Sequence, residues 1–367
     1  MVRGDNGAGG RKRVTIHDVV RESGVSLSTV SNALAGKDIV REDTRRIVQE
    51  AAARLGYRAS AIAQALRTRR TNTVGVLLAD VANPSYPDFV RGIEDVAIRE
   101  HCTLLLCNND GDEARQITQM RSLIDRQVDG MVLISQHCDS PAVRELLDSG
   151  VPFVLVQRHS TQFQDTYVGG DNTASLVAVA EYLAGLGHRR VGYIRGPAMS
   201  SAVAERFAAF RGAASRLGLD MDPSLVIAGD YGTNAGHQAA NALLNLQRPP
   251  TAIIASNDMS ALGVLDVAAE RGIDVPGQLS VIGYDDIALA RLARIDLTTI
   301  HLPRREIGVA AASLLMEQIK SGPSRPAVRS ILFPTRLVIR STTGPAPRAR
   351  SGRRERRTAM ATPPKSV

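Results

Sequence analysis

Apolar positions in the first 56 residues recur at helical spacing in three short segments. In "TIHDVVRES" the stripe is Ile16, Val19 and Val20. Thr15 opens it with Asp18 three residues on, an acidic variant of the capping box, and Gly24 closes it. In "SLSTVSNALAG", Ser26 stands as an N-cap, Val30 and Leu34 lie four apart, and Gly36 is a stop. "REDTRRIVQEAAARLG" sets Ile47, Val48, Ala51 and Leu55 on one side, with acids in its first turn and Gly56 at its end. Three helices with a short link between the first two predict a helix-turn-helix core.

The texture then changes twice. "YRASAIAQALRTRRTN" (57–72) is rich in Ala and Arg; Ser60 can cap a short helix to Leu66, and "RTRRTN" reads as a polar linker. From Thr73, apolar runs alternate with longer amphipathic patterns. The strand candidates are "TVGVLLA" (73–79), "CTLLLC" (102–107), "GMVLI" (130–134), "PFVLV" (152–156), "RVGYIR" (190–195), "SLVIA" (224–228), "TAIIAS" (251–256) and "LSVIGY" (279–284). Continuous apolar strands separated by helices predict parallel sheets covered on both faces, an α/β class. Eight units divide into two sets of four near residue 171. A helix over 305–322 and a strand over 331–340 complete the body.

Composition sharpens this outline. The 367 residues are 44% hydrophobic, enough for two or three domains, and no run of about 18 apolar residues exists to span a membrane. The basic N-terminus has no apolar stretch after it, so no secretory signal is expected. Cys102, Cys107 and Cys138 form no CxxC pair, which argues against disulfides or a zinc site and for a reducing, cytoplasmic setting. Residues 1–72 carry 14 Lys/Arg against 7 Asp/Glu, a charge of +7; residues 345–367 carry +6, and the body between is −5. A basic head on an acidic body points the head, and not the body, at a polyanion.

In a helix-turn-helix the second helix enters the major groove and its first residues reach base edges. Leu27, Ser28, Ser31 and Asn32 hold those places: hydroxyls donate or accept, Asn pairs with adenine, and Leu meets a thymine methyl. Thr29, Val30 and Ala33 suit packing and phosphate contact. A three-helix domain can also bind protein; spacing and charge favour DNA.

The run from "VTIHDVVRESGVSLSTVSNALAG" to "AIAQAL" resembles the DNA-binding head of the lactose-repressor (LacI) family of bacterial transcription regulators. "ANPSYPDFVRGIE", "RQVDGMVLI", "GGDNTASLVAVAEYLAGLGHRRVGYIRGP", "SNDMSALGVL" and "LSVIGYDD" follow in family order, so the likeness spans residues 14–344. It implies a periplasmic-binding-protein-like core of two Rossmann-like subdomains with an effector in the cleft, and a homodimer reading a pseudo-palindromic double-stranded operator. It implies DNA contact by Thr15, Ser26 and Tyr57 as well, and a hinge helix in which Ala63 allows close approach of two copies and Leu66 wedges into a minor-groove step. The expected organisation is a disordered basic segment 1–13, a head 14–58, hinge and linker 59–72, a core 73–344, and a disordered basic tail 345–367. Within the core, one subdomain takes 73–171 with 302–325 and the other 172–301 with 326–344. No Leu heptad follows Gly344, so no coiled coil is expected.

The resemblance also assigns the cleft, at the carboxyl ends of strands. Tyr86 and Tyr231 are its aromatic walls, and Gln157, Arg206, Asn257 and Asp285 its polar groups, a set that suits a sugar-like ligand. Asp258 is left aside as the expected N-cap of "MSALGVL". The sequence departs from the family at four places. Gln157 replaces a common acid, and Ser85 replaces a frequent aromatic, which predicts a roomier cleft. Arg41 stands where a capping Ser is usual, and Arg58 and Ala59 follow Tyr57 in place of Pro-Asn.

Catalytic readings find little support. There is no GxGxxG after a strand, no P-loop and no GxSxG, and the seven His form no HxxxH or His/Cys cluster, so neither enzyme activity, cofactor nor metal is expected. A solute-binding receptor on the same core is the rival reading; it calls for a signal peptide and no basic head.

Overall fold

The structure is a computed structural model and describes residues 14–57, 70–322 and 327–348. The expectations for residues 1–13, for a hinge helix carrying Ala63 and Leu66, and for the tail beyond 348 lie outside those residues. The chain divides into two compact units, the first holding the N-terminal helices up to Thr73.

That first unit contains α1 (Ile16–Ser23), α2 (Leu27–Leu34) and α3 (Glu42–Leu55). The Asp18 carboxylate accepts from the Thr15 N–H at 2.8 Å and from its hydroxyl at 2.7 Å, closing the acidic capping box. Gly24 ends α1 in the left-handed region at φ 68°, where its N–H reaches the Val20 carbonyl. Arg41 precedes α3 and makes no capping bond through its side chain; Glu42 and Asp43 in the first turn meet the helix dipole. Val19, Val30, Ala33, Val40, Val48, Ala51 and Ala52 form the core. Fully burying one Val is worth about 1.5–3 kcal/mol, a large share of the stability of so small a unit. Ile47, expected on the buried side of α3, is 46% exposed. Val48 and Ala51 with Ala52 fill the inward arc, and Ile47 falls outside it.

The second unit is a two-lobed α/β core. The first lobe has a six-stranded sheet in the order β11-β5-β4-β3-β1-β2. Its strands are β1 (Thr73–Leu78), β2 (Thr103–Asn108), β3 (Gly130–Ile134), β4 (Phe153–Val156), β5 (Tyr167–Asp171) and β11 (Ser330–Pro334). The second lobe has a parallel sheet β7-β6-β8-β9, from β6 (Val191–Ile194), β7 (Val226–Ile227), β8 (Ala252–Ala255) and β9 (Ser280–Ile282). A small antiparallel pair joins β10 (Thr299–His301) to β12 (Arg336–Val338). β3 and β4 are buried along their whole length, as their unbroken apolar runs require, whereas β2 lies at the sheet edge with exposed positions.

The helices of this unit are α4 (Tyr86–Arg99), α5 (Glu113–Asp125), α6 (Pro141–Leu147), α7 (Asn172–Gly185), α8 (Ser201–Arg216), α9 (Thr233–Leu244), α10 (Asp258–Glu270) and α11 (Arg304–Ser321). α11 lies against α4, and glycine makes their contact possible: a Cβ on Gly92 would stand 2.1 Å from the Arg305 carbonyl oxygen, and one on Gly308 2.3 Å from that of Phe89.

Four expectations need correction. Residues 331–340 are not one strand. Pro334 has no N–H to continue a ladder, and the Thr335 hydroxyl bonds the Asp171 carbonyl at 2.6 Å and Ser175 Oγ at 2.7 Å, so the run splits into β11 and β12. β11 then pairs in parallel with β5, so residues 330–334 belong to the first lobe, not the second. β5, with two glycines and no apolar run, and α6 were not foreseen. The N-cap of α10 is Asn257, whose Oδ1 accepts from the Ser260 N–H at 2.9 Å, rather than Asp258.

Candidate functional site

On the head, α2 is capped by a cluster of small hydroxyls. Ser26 Oγ lies 3.4 Å from the Thr29 N–H, 2.9 Å from Thr29 Oγ1 and 3.1 Å from Ser28 Oγ. Val30 and Ala33 point into the core, and that sets the opposite face. Leu27 and Ser28 are exposed there, and Ser31 and Asn32 are half-buried. Leu27 leaves 44% of its surface in solvent, which a purely structural helix gains nothing from. Thr15 is held by Asp18 at the start of α1, and Tyr57 packs half-buried on the head's core. Ala63 and Leu66 are outside the described residues.

In the core, Tyr86, Gln157, Arg206, Tyr231, Asn257 and Asp285 all line one cavity of about 440 Å³, its opening to solvent included. Strand ends place them. Ser135 follows β3, Gln157 follows β4, Asn257 follows β8, and Asp285 lies just past β9, so both sheets aim their carboxyl ends into the same space. The backbone is strained here. Ser135, Gln157, Tyr231 and Asp285 take φ values of 58°, 66°, 75° and 118°. Such conformations cost about 1–3 kcal/mol each and persist where surrounding contacts hold them. Gly196 lets the Tyr231 ring lie against the chain: a Cβ there would meet the ring at 2.4 Å.

Arg206 is 5% exposed. Its Nε donates to Asn172 Oδ1 at 2.9 Å, its Nη1 to the Ser256 carbonyl at 3.1 Å, and its guanidinium lies 3.4 Å over the Tyr284 ring. Asp285 is 7% exposed. Burial raises its carboxyl above the usual range, opposed by Arg304, Arg206 and a hydrogen bond from Ser85. Ser85 is thus engaged with a site carboxylate rather than simply leaving room. Burial also raises the Tyr86 phenol, which bonds Ser135. Asn257 has both ends of its amide in use, since Nδ2 also donates to the Tyr231 carbonyl at 2.8 Å. Gln157 is the reverse case: the residue lines the cavity, and its Nε2 is buried with no hydrogen-bond partner among the described residues.

Asn83, Phe89, Ser135, Ser200, Ala202 and Leu302 also line the cavity and were not foreseen. Ser135 had a signal, as the first polar residue after the run "GMVLI"; Phe89 had none, because it reads as part of a helical stripe. Beside the cavity, Asp258 is buried beneath α10 and its carboxyl is pushed up to about 8, by burial first and then by Asp285. Thr299 Oγ1 and the Ile287 N–H donate to it. At the surface, His237 of α9 and Asp266 and Glu270 of α10 bring ligand atoms within 4.8 Å of one another, a convergence across two helices that sequence spacing does not show.

A helix-turn-helix unit joined in one chain to a two-lobed core with a polar cleft at its strand ends defines a ligand-responsive, DNA-binding transcriptional regulator. Comparison with known proteins agrees. A family model described as bacterial regulatory proteins, lacI family, matches residues 15–60, and one described as a periplasmic binding protein-like domain matches 180–343. The chain is 32% identical over 331 residues to catabolite control protein A of Priestia megaterium, covering 90% of this chain and 99% of that protein. It is 34% identical over 312 residues to the ribose operon repressor of Escherichia coli K12, covering 83% and 93%. Among solved structures, the lac repressor dimer bound to operator and the anti-inducer ONPF superposes with a TM-score of 0.80 at 25% identity, covering 91% of this chain and 100% of that one. The chain belongs to the LacI family of bacterial regulatory proteins. Among the described residues no helix is long and apolar enough to cross a membrane.

Proposed function

We propose that this regulator is a cytoplasmic, homodimeric repressor that binds a pseudo-palindromic operator and is controlled by a neutral sugar in the cleft. The observation that carries the reading is the meeting of six residues, nominated from scattered stretches of sequence, around one cavity. Asp285 and Arg206 balance in charge, so the cavity favours an uncharged ligand. Tyr86 and Tyr231 offer apolar faces to a ring, and the buried Gln157 donor, which has no partner among the described residues, would gain one by turning to a ring or hydroxyl oxygen. The relatives named as the ribose operon repressor and the lac repressor support both a sugar and a dimer.

On DNA, Leu27, Ser28, Ser31 and Asn32 read bases, Thr15, Ser26, Thr29 and Tyr57 support them through phosphate contacts and packing, and Ala63 and Leu66 act in the minor groove. Effector binding shifts the balance between DNA-competent and incompetent states; coupling of about 1–3 kcal/mol changes operator affinity roughly 5–150-fold.

The test is a thermal-shift screen of a sugar panel that includes ribose, on wild type and on Arg206→Met. A sugar that raises the wild-type melting temperature and leaves that of the variant unmoved is expected. Equal response of both proteins removes Arg206 from the site, and no response to any sugar removes the ligand class. For the hinge, Leu66→Ala should weaken operator binding and leave sugar binding intact; unchanged operator affinity removes the wedge.

A further inference from the structure

A half-buried ion pair joins the two lobes. His159 lies on the chain that leaves β4 in the first lobe, and Glu205 lies on α8, which follows β6 of the second lobe. His159 Nε2 stands 2.6 Å from Glu205 Oε1, and Nδ1 stands 2.7 Å from the Ser160 carbonyl oxygen. Both ring nitrogens therefore face atoms that only accept. A neutral imidazole has one N–H and satisfies one of them; the imidazolium satisfies both. The His159 backbone N–H adds a third link, to Ser201 Oγ of α8 at 3.0 Å.

The pair continues into the cavity. Glu205 Oε2 accepts from Asn172 Nδ2 at 2.8 Å, and Asn172 Oδ1 accepts from Arg206 Nε at 2.9 Å and from the Tyr284 hydroxyl at 2.8 Å. With two donors at its oxygen, the Asn172 amide has one orientation, and the Glu205 carboxylate is what receives its other end. We propose that protonated His159 is a latch between the lobes, holding Glu205 and, through Asn172, setting the guanidinium of Arg206 for ligand. His159 and Glu205 are positioning residues, and the inference rests on the cleft being the effector site.

Around the imidazole, the facing titratable or charged groups are Glu205, Asp139 from the loop after β3, and Tyr167 of β5, whose ring meets it edge-on at 5.1 Å; Arg206 adds positive charge beside Glu205. The Glu205 hydrogen bond holds the imidazole above its ordinary value, against the opposing pull of burial. Burial would raise the Glu205 carboxyl, yet His159 and Asn172 keep it below its ordinary value. The charged pair is thus the form present below the raised His159 pKa, and it is lost as pH rises through it.

The test has two arms. Histidine NMR on the full chain should place the His159 titration above 6.5 in wild type and return it toward 6.5 in Glu205→Gln. Calorimetry with the sugar wild type binds best should show affinity steady near about pH 6 and falling about tenfold toward about pH 9, the scale of one lost charged hydrogen bond. Glu205→Gln should bind about tenfold more weakly at the acid end and lose the His159 step from its pH profile, leaving only what Asp258 and Asp285 contribute. His159→Gln should lose the same step, and it serves if Glu205→Gln misfolds. An ordinary His159 titration in wild type, or unchanged affinity and pH profile in both variants, overturns the latch. If no sugar binds wild type, the cleft reading fails by itself and the NMR arm still decides whether the pair forms.

Discussion

Asp285→Asn separates the stability of the core from recognition by its cleft, because the two should move in opposite directions. Asp285 sits just past β9 at φ 118°, 7% exposed, with Ser85 bonded to its carboxylate. Asn keeps the size and tolerates positive φ about as well as Asp. A ligand hydroxyl that donated to the carboxylate loses a charged hydrogen bond worth about 1.5–3 kcal/mol, so sugar affinity should fall roughly 10–150-fold. Stability follows from the direction of the carboxyl's shift. Its pKa is raised in the folded state, so between the unfolded and folded values the native protein binds more protons than the unfolded chain. The group's contribution is therefore lost as pH rises through that window and stays lost above it. Asn carries no such loss. The variant should melt at or above the wild-type temperature near pH 7, and the difference should shrink toward about pH 4. Calorimetry with the sugar that wild type binds best, and thermal unfolding followed across that pH range, read both quantities. Retained wild-type affinity, or a variant that melts below wild type at neutral pH, would refute the reasoning.

Asp258→Asn should flatten a decline in core stability between about pH 4 and pH 8, since the buried Asp258 carboxyl is raised to about 8 and favours the folded state only while protonated; denaturant titrations at several pH values check this. Val30→Ala empties a fully buried position of the head and should cost about 2 kcal/mol in its unfolding free energy, measured by urea denaturation, with sugar binding by the core unchanged. Asn32→Ala should leave the head folded and cost about 1–3 kcal/mol in specific operator binding, with non-specific DNA affinity unmoved in a salt titration.

The local devices of this protein were written in the chain. Thr15 with Asp18, Ser26 before Val30, and Gly24 and Gly56 in the left-handed region each act within four residues, so their spacing alone predicted the helices they bound. Unbroken apolar runs such as "GMVLI" and "PFVLV" likewise announced buried parallel strands. The six cleft residues were nominated by family order and by the rule that ligands sit beyond strand ends, and one cavity gathers them.

Contacts between residues far apart in the chain decided the rest. Thr335 breaks an apolar run because it meets Asp171 and Ser175, 164 and 160 positions earlier, and that sends β11 to one lobe and β12 toward the other. Ile47 shares the periodicity of its helix but lies beyond the arc that α1 and α2 cover. Asn257 and Asp258 are adjacent and both polar; only burial by the surrounding fold, with Asp285 brought beside it, makes the second a proton-holding carboxyl while the first caps α10. His159, Glu205, Asn172 and Arg206 come from four separate stretches, and none stands in a pattern that names another. Helix caps and hydrophobic periodicity are local in sequence, so a single chain displays them. Burial, charge pairing and the direction of a pKa shift depend on which distant groups arrive, and folding alone supplies those neighbours.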